Sequence, residues 1–130
     1  MEKSGDLVEN KRFEFIKQVQ DRSKVLALEI IKICDNLPSK RSTSVISYQI
    51  IKSATSQAAN YRAACRARSG AEFFSKMSIV VEEADETCFW LELLFEAQLI
   101  DIDTFQKLFK ESEELLSIFS TARKNAKLNK

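Results

Sequence analysis

The side chains best suited to chemistry are three cysteines and a run of carboxylates, and the chain has no histidine to accompany them. The cysteines are Cys34, Cys65 and Cys88, whose wide spacing fits neither a disulfide framework nor a zinc site. The carboxylates are Glu82, Glu83, Asp85, Glu86, Glu92 and Glu96. Metal sites in helical bundles pair carboxylates with inward-pointing histidines, and a cysteine nucleophile needs a base. We therefore expect reduced core thiols, no metal and no cofactor.

Other catalytic patterns are missing as well. The serines lack a Ser-His-Asp arrangement, and the two glycines, Gly5 and Gly70, cannot form a phosphate-binding loop. The sequence therefore predicts a protein that is not an enzyme and that takes no small-molecule substrate.

Basic side chains form the clearest charged pattern in the sequence. Lys52, Arg62 and Arg66 recur at helical spacing on one face, and Arg68 follows them. These four side chains could neutralise the phosphates of RNA or DNA, in which case binding would weaken steeply with salt.

The charge pattern has a second interpretation. Residues 40–76 contain seven basic side chains and one acid, whereas residues 77–106 contain eight acids and no basic side chain. Successive helices of opposite charge would pair within one subunit or between subunits. We favour this pairing, and nucleic-acid binding through the four basic side chains is the alternative.

Composition indicates one all-helical domain over residues 1–130. The chain is 45% hydrophobic and 30% charged, but it contains only two glycines and one proline, which leaves little turn chemistry for a sheet. Its length is sufficient for a core without metals or disulfides. No apolar run is long enough to span a membrane, and the first ten residues contain no apolar signal region. We expect a cytoplasmic protein without membrane contact.

Hydrophobic spacing predicts four helices, at about residues 7–36, 44–66, 70–98 and 102–124. Pro38 ends the first helix. Ser69 begins the third in a capping box with Glu72, and Asp101 is the predicted N-cap of the fourth, with Asp103 as the alternative. Residues 121–130 form a basic tail that we expect to fray. The short connections predict an all-α, antiparallel, up-down-up-down four-helix bundle.

The first helix has a single apolar stripe. Its members begin with Phe13 and continue through Ile16, Val19, Leu26 and Ile30 at mostly three- and four-residue steps. We expect all of them to face the core, because this is the spacing of one helix face.

The third helix, in contrast, is apolar on two opposite sides. Its inner stripe runs from Phe73 to Phe95. At about 100° per residue, Ile79, Trp90 and Leu93 fall on nearly the other side. Three neighbouring helices cannot cover both sides, so we predict that the outer side contacts another subunit. The predicted oligomer interface consists of Ile79, Glu83, Glu86, Trp90 and Leu93.

Residues 47–94 carry a family resemblance. They read SYQIIKSATSQAANYRAACRARSGAEFFSKMSIVVEEADETCFWLELL. The most specific features are Gln49 with Ser53, the Ala59-Asn60 pair before Arg62, the start from Ser69 to Phe73, and the run from Ser78 to Trp90 with its three glutamates. In this order they resemble the four-helix-bundle proteins encoded in the intervening sequences of bacterial 23S ribosomal RNA genes, over roughly residues 10–120.

The resemblance implies an antiparallel four-helix bundle that assembles into a ring-like homo-oligomer, namely a homopentamer, with no known catalytic activity. A related branch serves as the accessory protein of diversity-generating retroelements, where a markedly basic oligomer engages nucleic acid and a reverse transcriptase. The present sequence departs from that branch in its net charge of only +1. We therefore expect a self-assembling scaffold or interaction protein, with RNA or DNA as the alternative partner.

Overall fold

A computed structural model describes residues 4–128 and shows four α-helices. They are α1 (Ser4–Asp35), α2 (Arg41–Ala64), α3 (Gly70–Glu96) and α4 (Ile102–Lys124). Each helix packs against the next one in the chain, and α1 also meets α4, which closes the bundle. None of residues 4–128 lies in a strand. The predicted all-α, antiparallel four-helix bundle is confirmed.

All four helices contribute to one core along the bundle axis. Ile30, Ile50, Leu91 and Leu115, one from each helix, are at most 1% exposed. The helices do not share the packing equally. Helix α3 contacts both α2 and α4 extensively, whereas α1 and α4 make the fewest contacts of the four neighbouring pairs. Helix α3 is therefore the most firmly held element, and the seam between α1 and α4 is the loosest.

The first turns of α1 lie outside this core. Every described side chain from Gly5 to Phe15 is exposed, and Phe13 is 70% exposed. The expectation that Phe13 faces the core was therefore wrong, although Val19, Leu26 and Ile30 are buried as expected. Helix α1 is the longest of the four, with 32 residues, and it makes little contact with α4, so its first turns pack against little of the bundle.

Two helix starts have the predicted N-cap residues, although the Glu72 side chain makes no return bond to the Ser69 amide, so only half of the predicted capping box forms. The Ser69 hydroxyl accepts a hydrogen bond from the Glu72 amide at 3.1 Å, and the Asp101 carboxylate accepts one from the Thr104 amide at 2.8 Å. The bond from Thr104 lowers the pKa of the Asp101 carboxyl, because it favours the charged form. Each cap pairs an amide that a first helical turn leaves without an intrahelical partner.

Several predicted helix bounds were wrong by one to three residues. Helix α1 spans Ser4–Asp35 rather than residues 7–36, and α2 ends at Ala64 rather than residue 66. Helix α2 begins at Arg41 rather than Ser44, because the Thr43 hydroxyl accepts a hydrogen bond from the Lys40 amide at 2.9 Å and so holds an earlier first turn. Helix α3 ends at Glu96 rather than residue 98, because Gln98 takes a left-handed φ of 62°. That conformation closes the helix in the manner of a C-terminal cap.

The basic tail is also more ordered at its start than expected. Helix α4 ends at Lys124, the bound predicted for it, and residues 121–124 of the tail are helical rather than frayed. Arg123 explains this, because its Nε donates to the Ser78 hydroxyl at 2.8 Å and its guanidinium lies 4.3 Å from the ring centroid of Phe74. Residues 129 and 130 of the predicted tail lie outside the described residues.

A buried polar network joins α2 to α3. Gln57 Nε2 donates to the Thr87 hydroxyl at 3.0 Å, and that hydroxyl lies 2.9 Å from the Ser53 hydroxyl. All three side chains are at most 1% exposed. Because buried polar groups are costly unless they are paired, these contacts favour one register of α2 against α3.

Candidate functional site

The outer side of α3 carries a partly exposed apolar surface, which we call the α3 patch and define as Ile79, Phe89, Trp90 and Leu93. Ile79 is 44% exposed and Phe89 is 49% exposed, whereas Trp90 and Leu93 are half-buried. Ile79 and Leu93 are separated by four helical turns, so they lie on the same side of the helix. The structure thus brings together all the apolar residues of the predicted interface.

Trp90 is held in a fixed orientation within the α3 patch. Its indole Nε1 donates to the Glu86 carboxylate at 3.2 Å, one helical turn away. Its ring meets the Phe89 ring edge-on, with the centroids 4.9 Å apart and an interplanar angle of 71°. Edge-to-face contacts of this kind stabilise an aromatic pair. Trp90 and Phe89 therefore present a preformed aromatic surface.

Phe89 is the residue that sequence reasoning missed. Its position could have been found, because Glu82, Glu86, Phe89 and Leu93 follow one another at steps of four, three and four residues. This is the same helical rhythm that placed Leu93 on the outer side. With Phe89 included, the outer surface of α3 is larger and more aromatic than the predicted interface.

Glu83, also predicted for the interface, lies toward α2. Burial raises the pKa of its carboxyl, the negative charge of Glu86 raises it further, and the positive charge of Lys52 offsets part of this. An ionised Glu83 is therefore in an unfavourable setting within a single chain. A basic partner from another molecule would relieve it.

The basic residues of α2 lie on the side facing solvent. Lys52, Arg62 and Arg66 are all exposed, and between residues 4 and 128 none of them has a carboxylate within ion-pair distance. Arg68 lies in the turn after α2 and approaches the Glu72 carboxylate at 3.8 Å. The structure thus brings two of the four predicted basic residues, Lys52 and Arg62, onto one face of α2, whereas Arg66 and Arg68 lie in the turn that follows the end of the helix at Ala64.

The opposite charges of α2 and α3 interact only weakly within one molecule, through the effect of Lys52 on Glu83. In the described part of the chain, no ion pair joins these two helices. The charges point outward because the seam between α2 and α3 is filled by apolar side chains and by the Gln57–Thr87 network. Pairing of these charges between subunits is still a prediction.

A cavity of about 830 Å³ opens between α1 and α4, next to the turn that joins α2 to α3. Tyr61 and Cys65 line it beside the apolar side chains of Ile16, Phe73 and Ile118. Burial raises the pKa of both the Tyr61 hydroxyl and the Cys65 thiol. Both groups therefore stay protonated near neutral pH, and neither is an activated nucleophile.

The other two cysteines are inert in the same sense. Burial raises the pKa of the Cys34 thiol and raises that of Cys88 to about 12. None of the three is in a disulfide.

Across residues 4–128, no group of three or more His, Cys, Asp or Glu side chains is arranged to hold a metal ion. No helix in that range is long and apolar enough to cross a membrane.

Comparison with known proteins identifies the family. The sequence profile of the 23S rRNA-intervening sequence proteins matches residues 16–121. The chain belongs to this family. A solved structure of another protein, described as a protein with unknown function from the S23 ribosomal protein family of Bacteroides thetaiotaomicron VPI-5482, is 34% identical. It superposes with a TM-score of 0.76 over 82% of this chain and 99% of its own. No curated protein is significantly similar to the chain.

The region matched to the 23S rRNA-intervening sequence proteins coincides with the packed part of the bundle. It begins at Ile16, the first described residue of α1 that is half-buried, and it leaves out the exposed first turns. It contains the whole α3 patch and the basic face of α2. The resemblance predicted from the sequence is thus confirmed at the level of family and fold.

Proposed function

We propose that this member of the 23S rRNA-intervening sequence proteins is a self-assembling helical bundle that works, without catalysis, as a scaffold or interaction module. The observation that carries the proposal is the α3 patch, a partly exposed aromatic surface on a helix whose inner side is fully buried. The family resemblance implies a ring-like pentamer, and we adopt that number.

The chemistry of the α3 patch favours a protein partner. Half-exposed Phe89 and half-buried Trp90 are of the residue types that dominate the energetics of protein interfaces. Trp90 is already oriented by Glu86, so binding would not require it to lose much conformational freedom.

The distribution of charge favours a second copy of the chain as that partner. One molecule carries an exposed basic face on α2 and a carboxylate-rich α3, and no salt bridge joins these two helices within the described residues. Surfaces of opposite charge on the same molecule can pair between copies. The raised pKa values of the cysteine thiols support the non-catalytic part of the proposal.

Sedimentation equilibrium of the purified chain tests the proposal. We expect an oligomer at micromolar concentration. Trp90→Ala should weaken assembly by about 2 kcal/mol, or roughly thirtyfold, because it removes an anchoring aromatic side chain. Phe13→Ala is the matched control, because Phe13 is exposed on the first turns of α1, away from the patch. A wild-type chain that stays monomeric at this concentration would overturn the proposal.

A second candidate function is nucleic-acid binding. It is supported by Lys52, Arg62 and Arg66, whose side chains are exposed and free of internal ion pairs in the described region. If three phosphates are neutralised, the logarithm of the binding constant should fall with the logarithm of salt concentration with a slope of about −3 on duplex DNA. Titration of RNA and of duplex DNA at two salt concentrations tests this, and binding that ignores salt would exclude it.

A further inference from the structure

A shallow groove of about 340 Å³ runs along the seam between α1 and α2. Its α2 wall consists of the small side chains Thr55, Ala58 and Ala59, and its α1 wall includes Leu28 and Ile31. Leu28 is 57% exposed, so part of this wall is apolar surface in contact with water. The groove therefore offers an apolar floor that no part of the described chain covers.

The rim of this groove is basic. Lys17, Lys24 and Arg62 stand along it with one acid, Asp21, which pairs with Lys17 at 3.7 Å. Lys24 and Arg62 have no carboxylate within ion-pair distance among residues 4–128. A partner for this groove should combine apolar side chains with negative charge.

The α3 patch has the complementary character. It is apolar and aromatic at its centre, and the exposed carboxylates of Glu82 and Asp85 lie beside it. The surrounding stretch, residues 77–106, contains no basic side chain. Where the α1–α2 groove is concave and lined by small residues, the patch presents the bulky pair of Phe89 and Trp90.

We propose that the α3 patch of one molecule binds in the α1–α2 groove of the next, so that each copy contributes two different surfaces. This inference rests on the proposed function of self-assembly and names the two surfaces that perform it. A contact between unlike surfaces leaves a free groove at one end and a free patch at the other, and repetition then closes a ring or extends a chain.

Charge argues against the simpler arrangement in which two α3 patches face each other. Such a contact would bring two carboxylate-rich surfaces together, and like charges across an interface are unfavourable. Two grooves facing each other would likewise oppose basic rims. Only the unlike pairing places each surface against opposite charge.

Complementation between two variants tests the pairing. Ala59→Trp fills the groove at an exposed position, and Phe89→Lys places a positive charge in the patch. We expect each variant alone to be monomeric by sedimentation velocity. An equal mixture should form a heterodimer and nothing larger, because it contains one intact groove and one intact patch. Ser120→Trp, at an exposed position on α4, is the control and should assemble as wild type does.

Arg62→Glu is an independent groove variant that does not depend on the tryptophan. It should weaken assembly by about tenfold or more, because it reverses a charge on the rim. Circular dichroism confirms in each case that the helices are retained.

Three results would overturn the pairing. The groove variants could assemble like wild type while Phe89→Lys does not. The α3 patch would then bind a surface other than the groove, and the proposal of self-assembly would still hold. Both single variants could still assemble, or the mixture could stay monomeric, and either outcome would exclude the contact. A monomeric wild type would instead remove the proposed function itself.

Discussion

The two sides of α3 differ in how completely the chain satisfies them. On the inner side, Met77, Val80 and Leu91 are fully buried against the other helices. On the outer side, Ile79 and Phe89 keep almost half of their surface in contact with water. One helix thus carries two kinds of apolar surface: one specifies the fold of the molecule, and the other is free to meet a partner.

The largest expected effect is on the inner side. Leu91→Ala should lower the free energy of unfolding by about 2–5 kcal/mol, because it removes buried methyl groups and leaves a cavity in a well-packed seam. Phe89→Ala, two residues away on the outer side, should change it by no more than about 0.5 kcal/mol. Urea denaturation of both variants, at a protein concentration below assembly, measures the difference. If both variants lost the same free energy of unfolding, the two sides of α3 would contribute equally to the fold, which would contradict this comparison.

The buried polar network should give an intermediate effect. Thr87→Val keeps the shape of the side chain but leaves Gln57 Nε2 without its acceptor, which should cost about 1–3 kcal/mol. In the double variant with Gln57→Leu, most of this loss should be recovered, because both polar partners are then gone. Denaturation of the single and double variants measures the coupling. Additive losses would show that the hydrogen bond does not hold α2 against α3.

The smallest expected effect concerns the outer side and depends on pH. An acid whose pKa is raised by folding destabilises the fold above that raised pKa and has no such effect below its ordinary pKa. Because the pKa of Glu83 is raised, Glu83→Gln should stabilise the monomer slightly at about pH 7, and the gain should vanish by about pH 4. Thermal unfolding at both pH values measures it, with Glu82→Gln at an exposed position as the control. A gain that persists at the lower pH would contradict this account.

The sequence was most informative where one local signal acts alone. Ser69 and Asp101 cap their helices as predicted, because a cap depends only on a few neighbouring residues. It was less informative at the start of α1, where the pattern that includes Phe13 is genuinely helical but has nothing to pack against. Periodicity indicates a face and cannot indicate whether another helix reaches it.

The candidate site was likewise predictable in part from the sequence. Spacing alone predicted that Ile79, Trp90 and Leu93 share the outer side, but the contact of Trp90 with Phe89 and its bond to Glu86 depend on side-chain rotamers. The α1–α2 groove could not be predicted at all, because it depends on the register of α1 against α2, which the spacing of residues within each helix does not give. The intersubunit roles of both surfaces are still predictions.

By itself, the sequence determined the four helices, their order and the two apolar sides of α3, because these follow from the spacing of apolar residues and from local caps. Only the tertiary structure decided which charges meet. It separated the basic face of α2 from the acids of α3, since the seam between them is closed by apolar side chains and by the contact of Gln57 with Thr87. Charge pairing depends on distances between helices, and sequence spacing carries no information about those distances.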